Sequence, residues 1–171
     1  MVTLTCTLKL AKRLPFSVVD NKLPTTNRLG DWCANSFNLG RYPFILITND
    51  RTFLSVVIPF KDSVVFWPRF LLSLETLLKA IGISDNVIKR ELQEYRELQI
   101  TRQTNRRTLG VMNDFVFQVR ARFQIDVDPS LENIGYELSD MPCGPLKYGN
   151  PREAVRNLLL AAAPDQESRM S

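Results

Sequence analysis

Residues 44–58 constrain the fold more than any other stretch of this chain. Phe44-Ile45-Leu46-Ile47-Thr48 and Thr52-Phe53-Leu54-Ser55-Val56-Val57-Ile58 are apolar and rich in β-branched side chains, with Asn49-Asp50 between them. Such side chains favour pleated backbone, and a short polar break between two such runs is the signature of a hairpin. Pro59 ends the second run, because proline cannot donate to a ladder. From Ser63 to Ile81 the apolar period then changes. Trp67, Phe70, Leu71, Leu74, Leu77, Leu78 and Ile81 recur at spacings of three and four, the pattern of an amphipathic helix. Pro68 fits only a first turn, so the regular helix is expected from near Trp67, and Gly82 is the expected stop. A hairpin followed by such a helix excludes an all-helical chain.

The remaining segments extend this pattern. Val2 to Leu10 alternates, with Val2, Leu4, Cys6, Leu8 and Leu10 on one side and threonines on the other, which predicts a half-buried strand. A short helix is expected from about Leu29 to Phe37, capped by Thr26 or Asn27. Ser84 is read as the cap of a helix carrying Val87, Ile88, Leu92 and Tyr95. Glu97 to Thr104 reads as a strand, with Leu98, Ile100 and Arg102 on one face. Asn105 opens a further helix with the stripe Leu109, Met112, Val116, Val119 and Phe123. The chain after Asp126 reads as loop until a last helix at Asn150-Pro151, where asparagine caps and proline takes the first helical position. The expected class is α+β: an antiparallel or mixed sheet of about four strands with helices packed on one face. Length supports one domain over residues 1–163, with a polar, disordered tail at 164–171.

Composition removes several chemistries. The chain has no histidine, so Ser-His-Asp and Cys-His catalysis, histidine-dependent zinc hydrolysis and a histidine base are excluded. Three cysteines, Cys6, Cys33 and Cys143, lack C-x-x-C spacing, which argues against a zinc ribbon or a disulfide framework. Reduced thiols, no apolar run long enough for a membrane and no basic leader at Met1–Cys6 point to a cytoplasmic protein. The net charge of +4 is mildly basic and spread along the chain, compatible with anionic partners without demanding them.

The segment most able to carry chemistry is Asn105-Arg106-Arg107-Thr108, with Gly110 and Asn113 following. It opens a predicted helix, whose N-terminus presents free N–H groups and partial positive charge. Two guanidinium groups add donors for phosphate or carboxylate, and Gly110 permits close approach of a ligand to the backbone. The competing explanation is structural: Asn105 as a cap, the arginines solvated. An echo of this segment, Asn27-Arg28-Leu29-Gly30, opens the earlier predicted helix. It is short and gapped and is read as coincidence, leaving Asn27 and Arg28 as secondary candidates. Asp31 and Asp114 stand near the two helix starts, and Asp50 at the hairpin tip. Paired carboxylates can hold Mg²⁺, but none of these three lies in a D-x-D cluster, so neither a metal site nor a cofactor is expected. Cys33, beside Trp32 and Phe37, is read as a buried structural thiol.

Leu29-Gly30-Asp31-Trp32, Asn35, the Thr52-to-Pro59 strand, and Asn105-Arg106 through Leu109-Gly110 with Met112-Asn113-Asp114 resemble an uncharacterised bacterial family, a domain of unknown function. The likeness runs from about Leu4 to Pro145. It implies a bacterial or mobile-element source and brings no reaction, cofactor or catalytic residue.

Two functions follow. One is a non-enzymatic binding or regulatory module, antitoxin-like, that recognises RNA, a nucleotide or other anionic ligand, or a partner protein. The other is a carboxylate- or Mg²⁺-dependent enzyme acting on a nucleotide or phosphate substrate. Convergence of Asp31, Asp114, Arg28 and Arg106 in one hollow favours the enzyme; dispersal favours binding. No membrane partner is expected, and the oligomeric state is left open.

Overall fold

The computed structural model describes residues 1–102 and 105–160. Its elements, in chain order, are β1 (Val2–Cys6), α1 (Leu8–Ala11), β2 (Trp32–Leu39), β3 (Tyr42–Asn49), β4 (Ser55–Pro59), α2 (Phe66–Ala80), α3 (Asp85–Gln93), β5 (Leu98–Thr101), α4 (Arg106–Ile125), α5 (Leu131–Ser139) and α6 (Pro151–Leu160). The strands form one sheet in the order β4-β3-β2-β1-β5. β1 runs parallel to both β2 and β5, whereas β2–β3 and β3–β4 are antiparallel. The chain therefore adopts the expected α+β class with a mixed sheet, one strand larger than the approximate expectation. No helix among the described residues is long and apolar enough to cross a membrane.

The expected hairpin is β3–β4. Its turn is built by Asn49, whose Oδ1 accepts from the N–H of Arg51 (3.1 Å) and of Thr52 (2.9 Å) and from Thr52 Oγ1 (2.8 Å). The side chain thus replaces backbone partners inside the turn, as asparagine commonly does. Phe53 follows at a positive φ of 61° and is fully buried.

Strand register assigns each face. Leu4, Trp32, Ala34, Ile45, Ile47, Val56, Ile58 and Ile100 point one way, into a core closed by α2, α3 and α6 with Phe70, Leu74, Leu78, Ile88, Val155 and Leu159. This is the expected helical layer. A second layer covers the opposite face, where Cys33, Phe37, Leu46 and Val57 meet Val111, Met112, Phe115 and Val119 of α4 and Ile134 and Leu138 of α5. The hairpin strands are apolar on both sides, so burying only one face would leave Leu46 and Val57 in water. Gly135 of α5 lies against β4: a Cβ there would stand 3.5 Å from Ser55 O.

Several local expectations are corrected. Residues 32–37, expected to be helical, form β2, paired on both sides by β1 and β3. The first strand stops at Cys6. Thr7 then caps the short α1, its Oγ1 accepting from Leu10 N–H at 3.4 Å. Residues 131–139, expected as loop, form α5, with Ser130 Oγ accepting from Asn133 N–H at 3.3 Å. The helix starts at Asn105 and Asn150 are as expected: Asn105 Oδ1 accepts from Arg107 N–H and Asn150 Oδ1 from Glu153 N–H, both at 2.9 Å. Leu74, Leu77, Met112, Leu46 and Val56 are buried, whereas Leu109 and Val116 are only partly so. The strand expected to Thr104 ends at Thr101; Gln103 and Thr104 lie outside the described residues, as does the expected tail.

Candidate functional site

Helix α4 opens beside the hairpin tip. Asp50 Oδ1 accepts from Asn105 Nδ2 at 3.1 Å and makes a short contact with Thr108 Oγ1. An internal carboxylate therefore stands at the positive end of α4, where negative charge is stabilised. Asn105 and Thr108, both expected in the anion site, are engaged by this carboxylate. Thr108 is fully buried.

The arginines face elsewhere. Arg106, Arg107, Gly110 and Asp114 line one wall of a groove of about 730 Å³, closed on the other side by the loop from Met141 to Pro145. Among the described residues, neither arginine has an acidic side chain within ion-pair distance. The Arg107 guanidinium stands 5.5 Å from the centroid of the Phe53 ring, an interaction that holds its direction without neutralising its charge. Asn113 is exposed on α4 and lines none of these walls. Cys143 belongs to that loop and is buried. Burial, with a smaller effect from the Asp114 charge, pushes its thiol up to about 11, so it is no nucleophile at neutral pH.

Asp31 belongs to a different hollow, of about 430 Å³, shared with Lys22, Thr25, Asp50 and Arg51. Its carboxylate pairs with Lys22 and accepts from Thr25 Oγ1 at 2.8 Å. The Asp50 amide donates to Asp31 O at 2.9 Å, so strand pairing brings the two aspartates together. Among the described residues, no group of three or more cysteine or carboxylate side chains is placed to hold a metal ion. Arg28 lines a third hollow with Glu91 and Glu94. The four residues whose convergence would favour an enzyme are thus divided among three places.

Asn27 caps no helix. It belongs to a buried network absent from the sequence reading. Glu91, only 3% exposed, accepts from Arg28 N–H (2.9 Å), Leu29 N–H (3.1 Å), Asn27 Nδ2 (3.1 Å) and Tyr95 OH (2.9 Å). Tyr95 OH in turn accepts from Trp32 Nε1 at 2.9 Å. Burial, then the Glu91 charge, holds the Tyr95 hydroxyl well above its usual pKa of 10. The local signal was a glutamate near the end of α3 and a tyrosine four residues on, in the turn that follows it, a spacing too common to reveal a network. The Cys33 thiol is also raised, by burial first and by the Asp50 charge, against a Thr5 hydrogen bond that lowers it. It packs under α4 as a structural thiol.

Fold and groove together define an α+β domain: a mixed sheet between two helical layers, with a cationic groove along one outer helix. The chain belongs to the family described as Domain of unknown function (DUF6933), whose model matches residues 3–154. That description carries no activity. A search of the curated proteins finds no match.

Proposed function

We propose that this protein is a non-enzymatic binding module that takes an anionic group in the α4 groove, with Arg106 and Arg107 as its recognition pair. One observation carries the reading: both guanidinium groups line a concave wall with no acidic partner among the described residues. Two cations near the positive end of a helix are unfavourable unless a counter-charge arrives. Asp50 offsets the dipole but bonds Asn105 and Thr108 rather than the arginines. A bidentate guanidinium partner, such as phosphate or carboxylate, completes the arrangement.

The alternative, a carboxylate- or Mg²⁺-dependent enzyme, draws on the nearness of Asp31 and Asp50. Against it stand the partners already on those side chains. Lys22 and Thr25 hold Asp31, and Asn105 and Thr108 hold Asp50. A general base or a metal ligand needs an open lone pair directed at its target; both Asp31 oxygens are taken, and at Asp50 the two bonds fall on Oδ1, so that Oδ2 alone is left to serve. Three buried, unpaired cysteines accord with a cytoplasmic setting.

Thermal shift with phosphate, nucleotides and short RNA is the test. A ligand bound by the folded state alone raises Tm. The rise is expected to shrink in high salt and to vanish in Arg106→Ala/Arg107→Ala. Equal stabilisation of wild type and double variant by every anion refutes the assignment.

A further inference from the structure

Gly110 lies inside α4, one turn after Arg106 and one turn before Asp114. A Cβ built there meets nothing within 4 Å, and its φ is not in the left-handed region. Neither packing nor backbone geometry requires glycine, which weakens a helix relative to alanine. Gly135, the other glycine inside an α-helix, is different: it lies against Ser55 O and the Leu77 side chain. What Gly110 does is leave the groove wall bare between two charged residues, so that another main chain can lie directly on α4.

The charges along this wall have an order. Arg106 and Arg107 come first, then bare Gly110, then exposed Asp114, then Phe117, which is 70% exposed. At the helical rise, Asp114 stands about 12 Å and Phe117 about 16 Å beyond Arg106. Asp114 has no basic partner within ion-pair distance among the described residues. A nucleic-acid strand carries a charge at every phosphate and, laid along this wall, brings negative charge over Asp114. Like-charge juxtaposition of that kind rejects a partner. An extended peptide spans about 12 Å in about four residues. It can set a carboxylate on the arginines, a cation on Asp114 and an apolar side chain against Phe117.

We infer that the α4 groove docks a segment of a partner protein whose charges run acidic and then basic, with an apolar residue after them, and whose main chain crosses Gly110. The inference rests on the anion-site reading of Arg106 and Arg107 and adds the chemistry of the occupant.

Fluorescence anisotropy on the full chain tests it with three labelled probes. The first is a short peptide with two glutamates, a lysine about four residues on and a leucine beyond it. The second has the same composition with the lysine set beside the glutamates. The third is an oligouridine of equal length. The ordered peptide is expected to bind about tenfold or more tightly than either other probe. Gly110→Ala is expected to raise Tm while weakening the ordered peptide about fivefold or more. Asp114→Lys is expected to shift preference to the oligouridine. Oligouridine binding that matches the ordered peptide and is lost in Arg106→Ala/Arg107→Ala overturns the peptide occupant while keeping the anion site. Binding indifferent to the arginine pair, or no binding of any probe, overturns both. Unchanged peptide affinity in Gly110→Ala overturns the main-chain crossing.

Discussion

Replacing Glu91 tests how much of the fold hangs on one buried carboxylate. Glu91 accepts from two backbone N–H groups, Arg28 and Leu29, and from the Asn27 amide and the Tyr95 hydroxyl. In Glu91→Ala the Leu29 N–H is left buried, the Arg28 N–H loses its partner, and Asn27 and Tyr95 keep only their other contacts. Each buried orphan costs about 1–3 kcal/mol, and here two backbone donors lose an acceptor together. An expected loss of about 4 kcal/mol is a large share of a normal total stability of about 5–15 kcal/mol. With a urea m-value of about 2 kcal/mol/M, the midpoint falls by about 2 M. Glu91→Gln keeps the shape but turns an amide N–H toward a backbone donor, and is expected to cost about 1–3 kcal/mol. Urea titration followed by far-ultraviolet circular dichroism measures both. Tryptophan fluorescence reports locally, because Trp32 donates to Tyr95. A midpoint within about 0.5 M of wild type for Glu91→Ala refutes the view that this carboxylate pins the 27–30 turn to α3.

Asp50→Ala removes the internal anion from the start of α4 and is expected to cost about 1 kcal/mol, as loss of a cap-type contact does. If that charge is the reason, sulfate restores stability to the variant more than to wild type; equal sulfate effects in a thermal-shift series count against it. Stability is also expected to fall in alkali. Burial raises the Cys6 and Cys143 thiols from 9.0 to about 11, and Tyr95 lies well above 10. The fold therefore retains protons that the unfolded chain releases, so stability is complete below about pH 9 and declines as pH rises toward about 11. A urea midpoint unchanged between about pH 8 and about pH 10.5 refutes this.

Where local periodicity was enough, the elements could be read directly. The β3–β4 hairpin, α2, and the capped starts of α4 and α6 depend on side chains within a few residues of one another. α5 had a local signal too, with Leu131, Ile134 and Leu138 at helical spacing behind Ser130, but it stood among prolines and glycines that suggested loop. β2 could not be read in this way. Leu29, Trp32, Cys33 and Phe37 also fit a helical spacing, while as a strand the same stretch buries Trp32 and Ala34 in one core and Cys33 and Phe37 in the other. A strand buried on both faces loses the alternation that marks it.

The candidate site divides in the same way. The sequence alone determined the absence of histidine chemistry, the asparagine cap and the arginine pair at the start of α4, since these need only residue identity and near neighbours. Tertiary structure alone decided what those residues meet. Asp50, 55 residues before Asn105, supplies the carboxylate at that helix start, and Glu91, 64 residues after Asn27, captures the asparagine expected to cap a helix. The loop at Met141–Pro145 makes the arginine face concave. Such partners are set by strand order and by packing on two faces of a sheet, through contacts between distant segments that no local pattern encodes.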